Sequence, residues 1–144
     1  MLKRTKIVSL LEADQPIEKA LVKGWVRTRR DAKDFSFIEL NDGSSLKNIQ
    51  IIANNNLSNY EEVKKITTGS SLAVTGALVE SKGGNQKYEI VAGEIEIYSL
   101  APDDFPLQKK KHTDEYLRTI AHLRPRTNKY GAAFRVRSEL SFAI

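Results

Sequence analysis

Phe37, Gln50 and the cations Arg27, Arg29 and Arg30 are the side chains whose types and spacing could do chemistry on a ligand. An outward aromatic ring gives an unpaired base a flat surface, and such stacking is worth about 1–3 kcal/mol per base. A glutamine amide donates and accepts at once, which suits the hydrogen-bonding edge of a base. Arginines neutralise phosphates or lie across a base plane. Glu94 and Glu96 are the other candidates, but the sequence offers them neither a partner nor a pocket. They read as one solvated carboxylate and one acceptor for a base, not as an acid–base couple. Each residue alone has an ordinary explanation, since an outward Phe can fill the space under a loop and an outward Gln is usually solvated. The combination points to a single-stranded nucleic acid.

The elements that must position these residues lie between Leu21 and Ile52. A period of two predicts three strands, Leu21 to Arg29, Phe35 to Leu40 and Leu46 to Ile52. Val22, Gly24 and Val26 share one face of the first strand; Lys23, Trp25, Arg27 and Arg29 share the other. Ser36, Ile38 and Leu40 alternate against Phe35, Phe37 and Glu39, and Ile49 and Ile51 against Asn48 and Gln50. Asn41-Asp42-Gly43 is a turn, because Gly can take the positive φ of a tight reversal. One side of this sheet is aliphatic, and the other carries Phe37, Gln50 and the cations. Trp25 reads as packing at the barrel's edge more readily than as a stacking platform.

Before these strands, Ile7, Val8, Leu10 and Leu11 suggest a short helix that Pro16 ends. After them, Ser58 and Glu61 have capping-box spacing, and Tyr60, Val63 and Ile66 recur at helical intervals. A helix over about 58–68 follows, with Gly69 as its stop. A fourth strand spans about Ser71 to Glu80, with Leu72, Val74, Gly76 and Leu78 inward, and Lys82-Gly83-Gly84-Asn85 is a hairpin loop. The fifth strand, Lys87 to Tyr98, changes parity across Gly93, from Tyr88, Ile90 and Ala92 to Ile95 and Ile97. A one-residue bulge at Gly93 accounts for the change and leaves Glu94, Glu96 and Tyr98 on one face. Three strands, a helix and two strands match the mainly β, five-stranded OB-fold barrel, which binds oligonucleotides on its strand 2–3 face. Ala101 to Pro106 breaks the pattern, Thr113 caps a helix stopped by Pro125, and a further helical pattern runs from Asn128 to Ile144.

Cysteine is absent, which excludes a disulfide framework and a thiolate metal site, and the two histidines, His112 and His122, are too few to build a zinc site alone. There is no signal-peptide pattern at the N-terminus and no run long enough to cross a membrane, so a cytoplasmic home is expected. The net charge of +5 is uneven: residues 23–33 carry +4, residues 34–108 carry −6 and residues 109–137 carry +7. Two basic zones around an acidic middle suggest a polyanion approached from particular sides, although solvated surface charge is the commoner reason for any one run. Lys82 to Asn85 lacks the Lys-Ser/Thr ending and following helix of a phosphate loop, and no catalytic set is evident.

Two stretches carry a family resemblance. Gly24-Trp25-Val26-Arg27-Thr28-Arg29-Arg30-Asp31 with Phe35-Ser36-Phe37-Ile38-Glu39-Leu40-Asn41-Asp42-Gly43 resembles the anticodon-binding domain of class II aspartyl, asparaginyl and lysyl tRNA synthetases. Pro106-Leu107-Gln108-Lys109-Lys110-Lys111-His112 with Leu117-Arg118-Thr119-Ile120-Ala121-His122-Leu123-Arg124-Pro125-Arg126-Thr127-Asn128 is similar to the asparaginyl branch. The resemblance implies that Phe37 stacks on the middle anticodon base, a uridine, and that Gln50 bonds its edge. It implies that Glu96 reads a guanine-type first base and that Arg30 lies near the anticodon backbone or base. Arg27, Arg29 and Lys82 are weaker backbone candidates, and the loop from Lys82 to Lys87 is a candidate for the third base.

By this resemblance, residues 1–100 form the OB-fold anticodon-binding domain with 1–20 as an extension, 101–112 a linker, and 113–144 the helical start of a class II catalytic domain. Only the helix leading into the first signature motif is present; the motifs that hold ATP are not. An N-terminal piece of an asparagine–tRNA ligase is therefore expected to bind tRNA-Asn, anticodon GUU, and to hold no catalytic residue, ATP or magnesium of its own. The full-length parent would use ATP and magnesium and form a homodimer, with the oligomeric state of this piece open. The alternatives are a sequence-tolerant single-strand binder on the same barrel, and an aspartyl or relaxed Asp/Asn anticodon domain. Ile120 to Arg126 argues against the second.

Overall fold

The computed structural model describes residues 2–84 and 86–144. Five strands close into one barrel: β1 (Ile17–Asp31), β2 (Phe35–Asn41), β3 (Ile49–Asn54), β4 (Ser71–Glu80) and β5 (Tyr88–Ser99). Their order around the barrel is β1-β2-β3-β5-β4, and every pairing is antiparallel except β3 with β5. With a helical turn, α2 (Tyr60–Val63), between β3 and β4, this is the expected OB fold. The core is aliphatic: Val22, Val26, Ile38, Leu40, Ile49, Ile51, Leu72, Val74, Leu78 and Ile90 are buried, as the alternation required. Each such side chain, fully buried, stabilises by roughly 1.5–3 kcal/mol.

The strand ends differ from the sequence reading. β1 begins at Ile17, four residues before Leu21, because Ile17 and Ala20 already pair with Leu78 and Gly76. β3 begins at Ile49 and not at Leu46, since the Asn41 amide ties back the preceding loop. It donates to the Ser45 and Lys47 carbonyls and to Asn48 Oδ1. The helix expected over 58–68 shrinks to four residues, far short of Gly69. Its N-cap is Asn59 without a side-chain cap bond, so the capping box does not form. The Asn59 amide instead donates to the Ile95 carbonyl at 2.7 Å, fixing the turn to β5.

The short N-terminal helix α1 (Ile7–Leu11) exists and places Ile7 and Leu10 in the core. The β2–β3 turn holds it. Asp42 accepts from the Ile7 N–H at 3.1 Å and from Arg4 at 3.2 Å, while Ser44 Oγ accepts from the Val8 N–H at 3.0 Å. Burial pushes the Asp42 carboxyl up, but the bonds from Ser44, Ile7 and Arg4 together outweigh it and hold the group below its ordinary value. Gly43 makes the turn at φ +80°, as read from the sequence. The bulge at Gly93 is also present: Thr75 pairs with Glu94 and Gly76 with Ala92, leaving Gly93 unpaired. The glycine that β5 demands sits across from it, because a Cβ on Gly76 would lie 2.2 Å from the Val91 carbonyl oxygen.

The chain divides into two compact units, one ending at Phe105 and one spanning Pro106–Ile144. The second contains α3 (Asp114–Thr119), a 3-10 turn (Arg124–Arg126) and α4 (Asn128–Ala143). Thr113 caps α3 by accepting from the Tyr116 N–H, and Thr127 caps α4 by accepting from the Tyr130 N–H. The helix expected to run from Thr113 to Pro125 is shorter, since α3 stops at Thr119. None of the α4 side chains is buried; Val136, Leu140 and Phe142 are exposed. No helix among the described residues is long and apolar enough to cross a membrane.

Candidate nucleic-acid interface

Strand alternation and barrel order together build one outward surface across β1, β2, β3 and β5. Arg30 pairs with Phe37, Phe37 with Ile52, and Ile52 with Val91, so these four stand in one row. The Arg30 guanidinium lies over the Phe37 ring at 5.4 Å from its centroid. Phe35, two residues along β2, meets Phe37 edge-on with centroids 4.9 Å apart. Gln50 occupies the next row opposite Glu39. It is therefore a diagonal neighbour of Phe37, a relation that spans about 7–8 Å in an antiparallel pair. A ring, an amide and a cation stand together, half-buried at Phe37 and Gln50 and exposed at Arg30.

Arg29 is not part of this surface, which corrects the face read from strict alternation. β1 carries a register shift between Val26 and Thr28, and beyond it Arg29 pairs with inward Ile38 and Asp31 with inward Ser36. The Arg29 guanidinium donates to the Val63 carbonyl at 3.2 Å and pairs with Asp31 at 3.2 Å. Asp31 accepts from Ser36 Oγ at 2.7 Å, and that hydroxyl also meets Tyr60 Oη. Arg29 thus ties β1 to the α2 turn. Arg27 sits at the shift itself. Trp25, outward on β1, is 42% exposed.

Glu96 is outward and exposed, but it stands apart from Gln50. It pairs with Ala73 on β4, which in turn pairs with Lys23 on β1. The Lys23 ammonium lies 5.3 Å from the centroid of the Tyr98 ring, so Glu96 belongs to a patch with Lys23 and Tyr98. Glu94 is likewise exposed, opposite Thr75. Lys82 is exposed in the β4–β5 loop, of which Asn85 lies outside the described residues. Among the described residues no group of three or more His, Cys, Asp or Glu could hold a metal ion.

The residue that the sequence reading missed is Glu89. It is 6% exposed although it projects on the outward parity of β5. Gln50 Nε2 donates to its Oε2 at 3.0 Å, and Ser81 Oγ donates to the same oxygen at 3.1 Å. Ser81 Oγ also accepts from the Gly83 N–H at 3.2 Å, joining the β4–β5 loop to the network. The signal was present: with Tyr88, Ile90 and Ala92 inward, Glu89 must face out, and barrel order brings β5 beside β3.

A family model described as an OB-fold nucleic acid binding domain matches residues 20–98. The asparagine–tRNA ligase of Oleidesulfovibrio alaskensis is 56% identical over 144 residues, 99% of this chain and 31% of that protein. The asparagine–tRNA ligase of Geotalea uraniireducens is 52% identical over 141 residues, 98% of this chain and 31% of that protein. The crystal structure of asparaginyl-tRNA synthetase from Pyrococcus horikoshii matches with a TM-score of 0.83, over 99% of this chain and 34% of that one. At 24% identity that likeness speaks for the fold alone. The chain spans about a third of the length of the relatives it matches. It belongs to the family of OB-fold nucleic acid binding domains, and nearly its whole length is similar to part of the asparagine–tRNA ligases.

Proposed function

We propose that this outward face binds the anticodon loop of tRNA-Asn, GUU, as the N-terminal part of an asparagine–tRNA ligase that attaches asparagine to tRNA using ATP. Phe37 stacks on the middle base, Gln50 bonds its edge, Glu96 accepts from the guanine-type first base, and Arg30 lies against the backbone or a base. Arg27 and Lys82 add phosphate contacts, and the loop from Lys82 to Lys87 approaches the third base. The observation that carries this reading is the Arg30–Phe37 cross-strand pair with Gln50 on its diagonal, an aromatic platform with a cation and an amide beside it. In this reading ATP and magnesium belong to the rest of the full-length parent, which acts as a homodimer in the cytoplasm.

Binding of the 144-residue chain to stem-loops bearing GUU, GUC or a scrambled anticodon, at two salt concentrations, tests the proposal. The expected result is preference for GUU at both salts, removed by Phe37→Ala or Gln50→Ala. A GUC loop bound as tightly as GUU points to an aspartyl-type or relaxed reader. Equal, salt-driven binding to all three reduces the chain to a basic barrel whose affinity reports only the phosphates it neutralises.

A further inference from the structure

We infer that Glu89 is a positioning residue that fixes the Gln50 amide with its carbonyl toward the ligand, so that this site selects a base presenting a ring N–H. The inference rests on the reading that Gln50 meets a base edge. A carboxylate accepts hydrogen bonds and has none to give, so the end of the amide that faces Glu89 must be the NH₂ group. Turning the amide over would set carbonyl against carboxylate at a site where Glu89 is 6% exposed. Glu89 is itself held, since Ser81 Oγ donates to the oxygen that receives Gln50 Nε2. Its strand neighbours fix the approach, with Ile90 paired to Ile51. Among the described residues nothing donates to Gln50 Oε1.

The consequence is a choice between base classes. Uracil and guanine carry a ring N–H between or beside keto oxygens, so an outward carbonyl accepts from it and the second amide proton reaches a keto oxygen. Cytosine and adenine carry an unprotonated ring nitrogen there, which would bring two acceptors face to face. Glu89, which never touches the base, thereby decides what the base contact can accept.

The test uses the 144-residue chain and three stem-loops that differ only at the middle anticodon base: uridine, cytidine and N3-methyluridine. The unaltered chain is expected to prefer uridine by about tenfold or more over both others. Glu89→Gln keeps the shape but can donate or accept, which frees Gln50 to turn. Its expected effect is a uridine-over-cytidine margin of about threefold or less, with uridine-loop affinity changed far less and the unfolding temperature near that of the unaltered chain. Should that variant fail to fold, Glu89→Asp, one methylene shorter and out of reach of Gln50, carries the same expectation. An unchanged margin in a folded Glu89 variant overturns the inference, as does equal binding of the unaltered chain to uridine and cytidine loops. Gln50→Ala separates the two layers. If it removes the margin while Glu89→Gln keeps it, only the positioning role falls; if it changes neither affinity nor margin, Gln50 is no base contact and both readings fall.

Discussion

The two ends of β5 carry glutamates on the same outward face, and they live in different worlds. Glu89 is buried, with two side-chain donors on one oxygen. Glu96, seven residues on and about 20 Å along the strand, is exposed beside Lys23 and Tyr98. Between them the bulge at Gly93 shifts the parity by one, which is why an odd-numbered and an even-numbered glutamate can face the same way. The difference teaches that outward parity does not mean available. At one end the surface is built into the protein and sets a neighbour's orientation; at the other it is open to a ligand.

The largest effect is expected from unpairing the strand that frames the two glutamates. Gly76→Val places side-chain carbons against the Val91 backbone, whose oxygen leaves 2.2 Å for a Cβ, and is expected to cost about 3 kcal/mol in urea unfolding. Next in size, Glu89→Ala leaves the Gln50 amide and the Ser81 hydroxyl short of an acceptor. It is expected to destabilise by about 1–3 kcal/mol. Phe37→Ala is expected to weaken binding to a GUU stem-loop by about 1–3 kcal/mol, measured by titration at fixed salt. Glu96→Ala should change stability by less than about 0.5 kcal/mol, because no described residue bonds its carboxylate, and the proposed role predicts weaker binding of a GUU stem-loop.

A third carboxylate sharpens the contrast through pH. The folded-state carboxyl of Asp42 titrates below its unfolded value because Ser44, Ile7 and Arg4 bond its charged form. Its contribution is therefore fully present above the unfolded carboxylate range and is lost as pH falls through the folded value. Asp42→Asn is expected to flatten the acid limb of the stability curve, read by urea unfolding from neutral pH downward. An acid limb as steep as in the unaltered chain would show that other groups produce it.

The barrel was legible because its strands alternate strictly: Val22, Ile38, Ile51, Val74 and Ile90 all lie in the core. The Gly93 bulge was legible for the same reason, since a bulge in an otherwise regular strand leaves a parity break in the apolar residues. The shift beyond Val26 left no such break, because polar Thr28, Arg29 and Arg30 follow it, and Arg29 was put on the wrong face. The helix was overread. Local spacing favoured a capping box, but Asn59 bonds the Ile95 carbonyl across the barrel, and no local pattern encodes that. Glu89 escaped for a related reason: its partner Gln50 is 39 residues away and reached through a parallel pairing that exists only once the barrel closes.

An amide NMR titration of this chain with the GUU stem-loop at physiological salt tests whether the barrel face meets the anticodon. The largest shift changes are expected at Arg30, Phe37, Gln50 and Glu96, with Glu89 responding through Gln50. Changes confined to the basic stretch 109–137, with the barrel face silent, would contradict it.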